Sequence, residues 1–139
     1  MSNKLHAFLN PEMPQEKEIF VSDRFKDEDG KTVLFRVRPI SQEENAKLQK
    51  AAKRMVTTKQ GTTEELDTAK YTKLLILAGT AFPDFRDNEL CEAYGTKIPE
   101  EVPGKMLLAG EYHILSEAIS DLSGFNAAAQ KEIGEEAKN

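Results

Sequence analysis

Residues 74–78 read Leu-Leu-Ile-Leu-Ala. On a helix this stretch is apolar nearly all round, and a helix without a polar face has to be enclosed by other elements. Leu66, Tyr71, Leu74, Leu75, Ala78 and Phe82 recur at helical spacing, which predicts a central helix from Thr63 or Glu64 to about Thr80, stopped by Pro83. The rest of the chain must surround that helix. At 139 residues it can bury such a core within one domain, without disulfides or metal.

The surrounding elements can be read from their periodicities. Glu18–Ser22 is short and rich in β formers, and Thr32–Arg38 alternates, with Val33, Phe35 and Val37 on one face and Leu34, Arg36 and Arg38 on the other. Asp29-Gly30 between them is a strong turn signal, so the pair reads as a hairpin over about 18–38. A lone hairpin is marginal in water, so this one must pack on helices or join another sheet. Ser41 followed by Glu44 has the form of a capping box, opening a helix to about Val56. Leu48, Ala51, Ala52, Met55 and Val56 form its apolar stripe, and Lys47, Lys50, Lys53 and Arg54 a basic sector. Thr57–Thr63 reads as a polar loop.

Beyond Pro83, Asp87 or Asn88 caps a short helix over Glu89–Tyr94, closed by Gly95. Thr96–Gly104 is a proline-rich connection with room for one helical turn, and Lys105–Leu108 is a short amphipathic turn. Glu111–Leu122 reads as a helix with Tyr112, Leu115, Ile119 and Leu122 on one face, ended by Gly124; a last, fraying helix is expected in 125–139. At the other end, residues 1–15 read as an arm broken by Pro11 and Pro14, whose Leu5, Phe8 and Leu9 dock on the body or on a partner. The expected fold is α+β: after the arm, a single domain over 16–139 in which an N-terminal β-hairpin packs on a mainly α-helical body of about 41–137.

Chemistry is hard to find in this chain. The net charge of −5 argues against a general nucleic-acid binder or an anionic membrane surface as partner. Cys91 stands alone, so no internal disulfide forms, and it reads as a small apolar core residue. His6 and His113 form no metal-ligand pair, and no phosphate-cradling glycine loop is present. Asp27-Glu28-Asp29-Gly30 imitates the start of a calcium loop, but Arg38 stands where such a loop needs its bidentate carboxylate. The pairs Glu43-Glu44, Glu64-Glu65 and Glu100-Glu101 sit at helix starts, where the helix dipole favours them. The expectation is a non-enzymatic protein with no catalytic, cofactor-binding or metal residues. No signal peptide or membrane-length apolar run is evident, which places the protein in the cytoplasm.

Taken in order, several segments resemble the XkdN-like family of phage tail assembly chaperones. They are FLNP at 8–11, SDRFKDEDGK at 22–31 and the FRVRPIS stretch with its EEN at 35–45. TAKYTKLLILAGTAFPDFRDNELCEAYG at 68–95 and PGKMLLAGEYHILSEAISDLSGF at 103–125 complete the set. The resemblance implies a protein made in the infected or lysogenic host that coats the tape measure protein and helps recruit tail tube subunits. It also implies absence from the finished particle; self-association stays open. Such a chaperone needs exposed apolar grooves on a soluble body. The amphipathic C-terminal half offers Leu107, Leu108, Tyr112 and Leu115 as partner-binding candidates, against the alternative that they are core. Rival roles are a structural tail component retained in the virion and a small nucleic-acid-binding regulator using the basic sector. Relatives in long-tailed phages often make a longer form by frameshifting, and the ending Ala137-Lys138-Asn139 suits a slippery adenine run.

Overall fold

The computed structural model describes residues 4–125. The expected last helix falls almost wholly, and the Ala137-Lys138-Asn139 ending wholly, outside them. The described fold is α+β, with a small antiparallel sheet at the N-terminal side and helices around the core.

The sheet is built from β1 (Lys17–Ile19), β2 (Phe35–Val37) and β5 (Thr80–Phe82), in the order β1-β2-β5. Lys17 pairs with Val37 and Ile19 with Phe35; on the other side of β2, Arg36 pairs with Phe82 and Val37 with Thr80. The alternation holds: Phe35 and Val37 are buried, while Leu34 and Arg36 face outward. The strands are shorter than expected, because residues 20–34 form a long excursion whose tip is the Asp29-Gly30 turn. There Asp27 Oδ1 accepts from the amides of Asp29 at 2.9 Å and Lys31 at 3.0 Å, and Gly30 takes φ 79°. That carboxylate is committed to the turn.

The central helix, α3 (Thr68–Gly79), is capped by Asp67, whose Oδ1 accepts from the Lys70 amide at 3.1 Å. Ile76 and Leu75 are buried on it. It starts later than the spacing predicted, and Leu66 and Phe82 are not on its stripe. Leu66 lies in β4 and Phe82 in β5, which continues straight out of the helix to pair with β2. Pro83 therefore ends a strand.

The helix before it, α2 (Gln42–Ala51), is also shorter than predicted. Instead of continuing to Val56, the chain turns at Ala52 into an antiparallel hairpin of β3 (Lys53–Thr58) and β4 (Gly61–Leu66). Thr57–Thr63 is thus largely strand. Val56, Thr57, Thr58, Thr62 and Thr63 are β-branched and favour this state. The basic sector is divided accordingly, with Lys47 and Lys50 on the helix and Lys53 and Arg54 on the strand. The Ser41 half of the capping box is formed, and the Glu44 carboxylate is shared between the Ser41 backbone and Arg38. Ser41 Oγ accepts from the Glu44 amide at 3.2 Å, and the Glu44 carboxylate accepts from Arg38 at 2.6 and 3.0 Å. That guanidinium holds the Glu44 carboxyl below its ordinary range.

The remaining elements enclose α3. They are α4 (Asn88–Ala93), a 3-10 turn (Pro99–Glu101), α5 (Val102–Met106) and α6 (Ala109–Leu122). Lys70 bonds Glu100 at 2.7 Å and Lys73 bonds Glu101 at 3.0 Å, tying α3 to the 3-10 turn. The core runs through Val37, Ile76, Phe85, Val102, Leu115 and Ile119. The N-terminal arm holds one short helix, α1 (Leu5–Leu9), none of whose residues is buried.

One ion pair, between a half-exposed Arg24 and a buried Glu111, ties the excursion to α6. Arg24 donates through Nε to Glu111 at 2.9 Å and through Nη2 to the Met106 carbonyl at 3.1 Å, while Glu111 also accepts from the Leu108 amide at 2.7 Å. The Arg24 bond, helped by Ser22 and Leu108, holds the Glu111 carboxyl at about 2, against an ordinary 4.5. A lowered carboxyl contributes stability that is fully present above 4.5 and is lost as pH falls towards 2. The urea midpoint of the wild type is expected to drop through that window. Glu111→Gln should start lower at neutral pH and lose less there; parallel pH profiles would contradict this.

Candidate docking groove

Leu34 and Phe82 at the sheet and Leu90 at the start of α4 border an apolar groove. Phe82 closes β5 and stands 46% exposed; Leu34, just before β2, is 39% exposed. Pro83, Leu90 on α4 and Tyr94 complete the walls, and Phe25, Phe35 and Met106 form the floor. The Phe25 and Phe35 rings pack edge-to-face with centroids 5.3 Å apart. This cavity of about 210 Å³ has no charged lining residue. It adjoins a wider one of about 450 Å³, where Asp84, Asp87 and Glu89 form an acidic rim beside Phe82, Pro83 and Leu90. On the opposite side the Arg36 guanidinium lies 6.0 Å from the Phe82 ring centroid.

Local structure explains why the groove stays open. Asp87 caps α4 by accepting from the Leu90 amide at 3.1 Å, which sets Leu90 at the first turn. Phe85 inserts into the core beneath, with its carbonyl accepting from the buried Cys91 Sγ at 3.3 Å. Cys91 is thus a packed core thiol. A second cavity of about 450 Å³ between β1 and α6 is lined by Lys17, His113, Glu117 and Asp121 as well as apolar groups, and is a poorer seat for an apolar partner.

The four residues singled out in the C-terminal half do not form one surface. Leu107 and Leu115 belong to the core cluster and Leu115 is fully buried. Tyr112 is half-buried against that core, and burial pushes its phenol up. Leu108 alone is well exposed, at 60%. Helical spacing selected the face of α6 that meets its own domain. The groove residues Leu34, Phe82 and Leu90 were missed because they come from three separate elements. The outward position of Leu34 on the alternating strand was the one available signal.

Among the described residues, no group of three or more His, Cys, Asp or Glu is placed to hold a metal ion. No helix among them is long and apolar enough to cross a membrane.

The described residues thus form an α+β body with an open, acid-rimmed apolar groove. The chain belongs to the XkdN-like family of phage tail assembly chaperones, whose family model matches residues 5–138. It is similar to the phage-like element PBSX protein XkdN of Bacillus subtilis, at 34% identity over 90% of this chain and 85% of that one. YqbN of the same organism matches with the same identity and coverage. The crystal structure of YqbN superimposes with a TM-score of 0.70 at 28% identity, covering 85% of this chain and 94% of that one.

Proposed function

We propose that this chaperone binds the tape measure protein, seating apolar helical segments of it in the Phe82 groove, and helps recruit tail tube subunits to it. One observation carries the reading: exposed Leu34 and Phe82 and half-buried Leu90 line one trough that has no charged lining residue. An amphipathic helix laid into such a groove buries its apolar stripe, which removes the surface that drives aggregation. The role is binding without catalysis, carried out in the host cytoplasm before the tail is complete. Mass spectrometry of purified particles should find the chain absent; stoichiometric presence would make it a tail component.

The direct test is co-expression with the tape measure protein of the same phage element. The wild type should raise tape measure solubility and co-purify with it. Leu34→Asp places a charge in an apolar contact and should weaken that complex about tenfold or more. Unchanged tape measure solubility and no complex with the wild type would overturn the proposal.

A further inference from the structure

The β3–β4 hairpin is the least supported part of the described fold. Every residue of β4 is exposed, and on β3 only Val56 is half-buried. Apart from each other, the two strands pack closely on no other element. The Asp67 amide closes the neck by donating to the Ala52 carbonyl at 2.8 Å. At the tip, Thr58 Oγ1 donates to the Gly61 carbonyl at 3.1 Å and accepts from the Gln60 amide at 3.3 Å. A two-stranded hairpin with no third strand and no covering helix is only marginally stable in water. Its open faces are surface that a partner can cover.

At the base of the hairpin, α2 and β3 border a cleft of about 570 Å³. Gln49 and Lys50 come from the helix, Lys53, Arg54 and Met55 from β3, and Glu64 from β4. The turn at Ala52 makes the cations converge, because Lys50 lies in the last turn of α2 while Lys53 and Arg54 begin β3. Three cations thus meet one carboxylate, on a chain whose net charge is −5. Nearby carboxylates do not neutralise them. Lys53 reaches Glu64 only at 3.9 Å, with side chains 50% and 59% exposed, and a pair of that kind contributes little. Lys50 and Arg54 have no ion-pair partner among the described residues. Like charges gathered in one cleft repel one another and attract an anionic partner.

The neighbours of these cations select the kind of anion. Met55 is 63% exposed beside them, and the Gln49 amide adds a neutral hydrogen-bonding group. Cations, an amide and a thioether together suit a peptide that carries both carboxylates and apolar side chains. A nucleic-acid backbone fits worse, since its phosphates would meet Glu64 in the cleft and Glu65 next to it in β4. We infer that the cleft between α2 and the β3–β4 hairpin docks an acidic, partly apolar peptide segment of another protein. It shares no lining residue with the Phe82 groove, so it stands apart from the tape measure reading.

The probe is a fluorescein-labelled, glutamate-rich peptide with interspersed leucines, titrated with the full chain and followed by fluorescence anisotropy. The wild type should bind it at low salt, and binding should weaken steeply as salt is raised. Lys50→Glu and Arg54→Glu should each weaken it about tenfold or more, with unchanged far-UV circular dichroism. Lys97→Glu makes the same change in net charge at an exposed position outside the cleft and should leave binding nearly unchanged. In the wild type, amide resonances of residues 49–55 and 64 should shift when the peptide is added. A wild type that does not bind the peptide overturns the inference. So do equal losses in Lys97→Glu and Arg54→Glu, or resonance shifts confined to other parts of the chain. Tighter binding of a DNA duplex than of the peptide would give the cleft to nucleic acid instead. A wild-type dimer that Arg54→Glu dissociates would give it to a second copy, and either result also overturns the inference.

Discussion

Phe85→Ala is expected to destabilise the protein by about 3–5 kcal/mol, the range for removing a fully buried phenylalanine and leaving its cavity. Phe85 is 1% exposed and lies between β5 and α4, beneath both walls of the groove. Its neighbours are fixed on two sides. Its own carbonyl accepts from Cys91 on α4, and Phe82 and Pro83 are held by the pairing of β5 with β2. The site cannot collapse easily, so the upper part of the range is expected. A domain of this size is stable by only about 5–15 kcal/mol, so the loss is a large share. Urea denaturation should show a lower midpoint with little change in slope. Phe20→Ala supplies the contrast. Phe20 is 57% exposed, and its removal should change stability by about 0.5 kcal/mol or less. Equal effects of the two substitutions would show that Phe85 is not the core residue its burial indicates.

What could be read from the sequence was what depends on neighbours in the chain. The Asp29-Gly30 turn is stated by its dipeptide, and the inward set Val33, Phe35 and Val37 by alternation. Asp87 and Ser41 cap their helices through short-range bonds, and Gly95 closes α4 at φ 67°. What could not be read depends on distant partners. Thr80-Ala81-Phe82 becomes a strand because Arg36 and Val37 are there to receive it, and its spacing after Leu75 and Ala78 imitates another helical turn. Met55 and Val56 likewise fall on the helical stripe begun by Leu48, yet they sit in β3 opposite Glu64 and Thr63. There the β-branched run and Gln60-Gly61 outweigh the helical pattern, with Gly61 at φ 121° in the turn. The capping pattern shows Glu44 turned to the Ser41 backbone, but not that its carboxylate is shared with Arg38, a stronger charged donor. The groove is the extreme case. No periodic segment contains it, since Leu34, Phe82 and Leu90 meet only after β5 has paired.

Gly79→Ala is expected to be disruptive for a reason invisible in any exposure value. A Cβ at Gly79 would lie 2.5 Å from Ile119 Cγ2 and 2.9 Å from its Cδ1. Real side chains do not approach so closely, so α3 and α6 must part or Ile119 must move. Ile119 is fully buried and has nowhere to go. The backbone of Gly79 is also held, because its carbonyl accepts from the Arg38 amide at 2.8 Å as the chain passes into β5. Overpacking of this kind costs about 1–3 kcal/mol, more where the backbone is pinned. Ile119→Ala alone opens a cavity and should cost about 2–5 kcal/mol. The double variant joins an added methyl to the space left by the isoleucine, so its cost should fall short of the sum by about 0.5–3 kcal/mol. Urea midpoints of the two single variants and the double variant measure the difference. Strict additivity would mean that the close contact of α3 and α6 is not what requires glycine here. A favourable coupling would place Gly79 as the residue that lets the central helix lie against α6 at the point where it hands the chain to β5, and so to the wall of the groove.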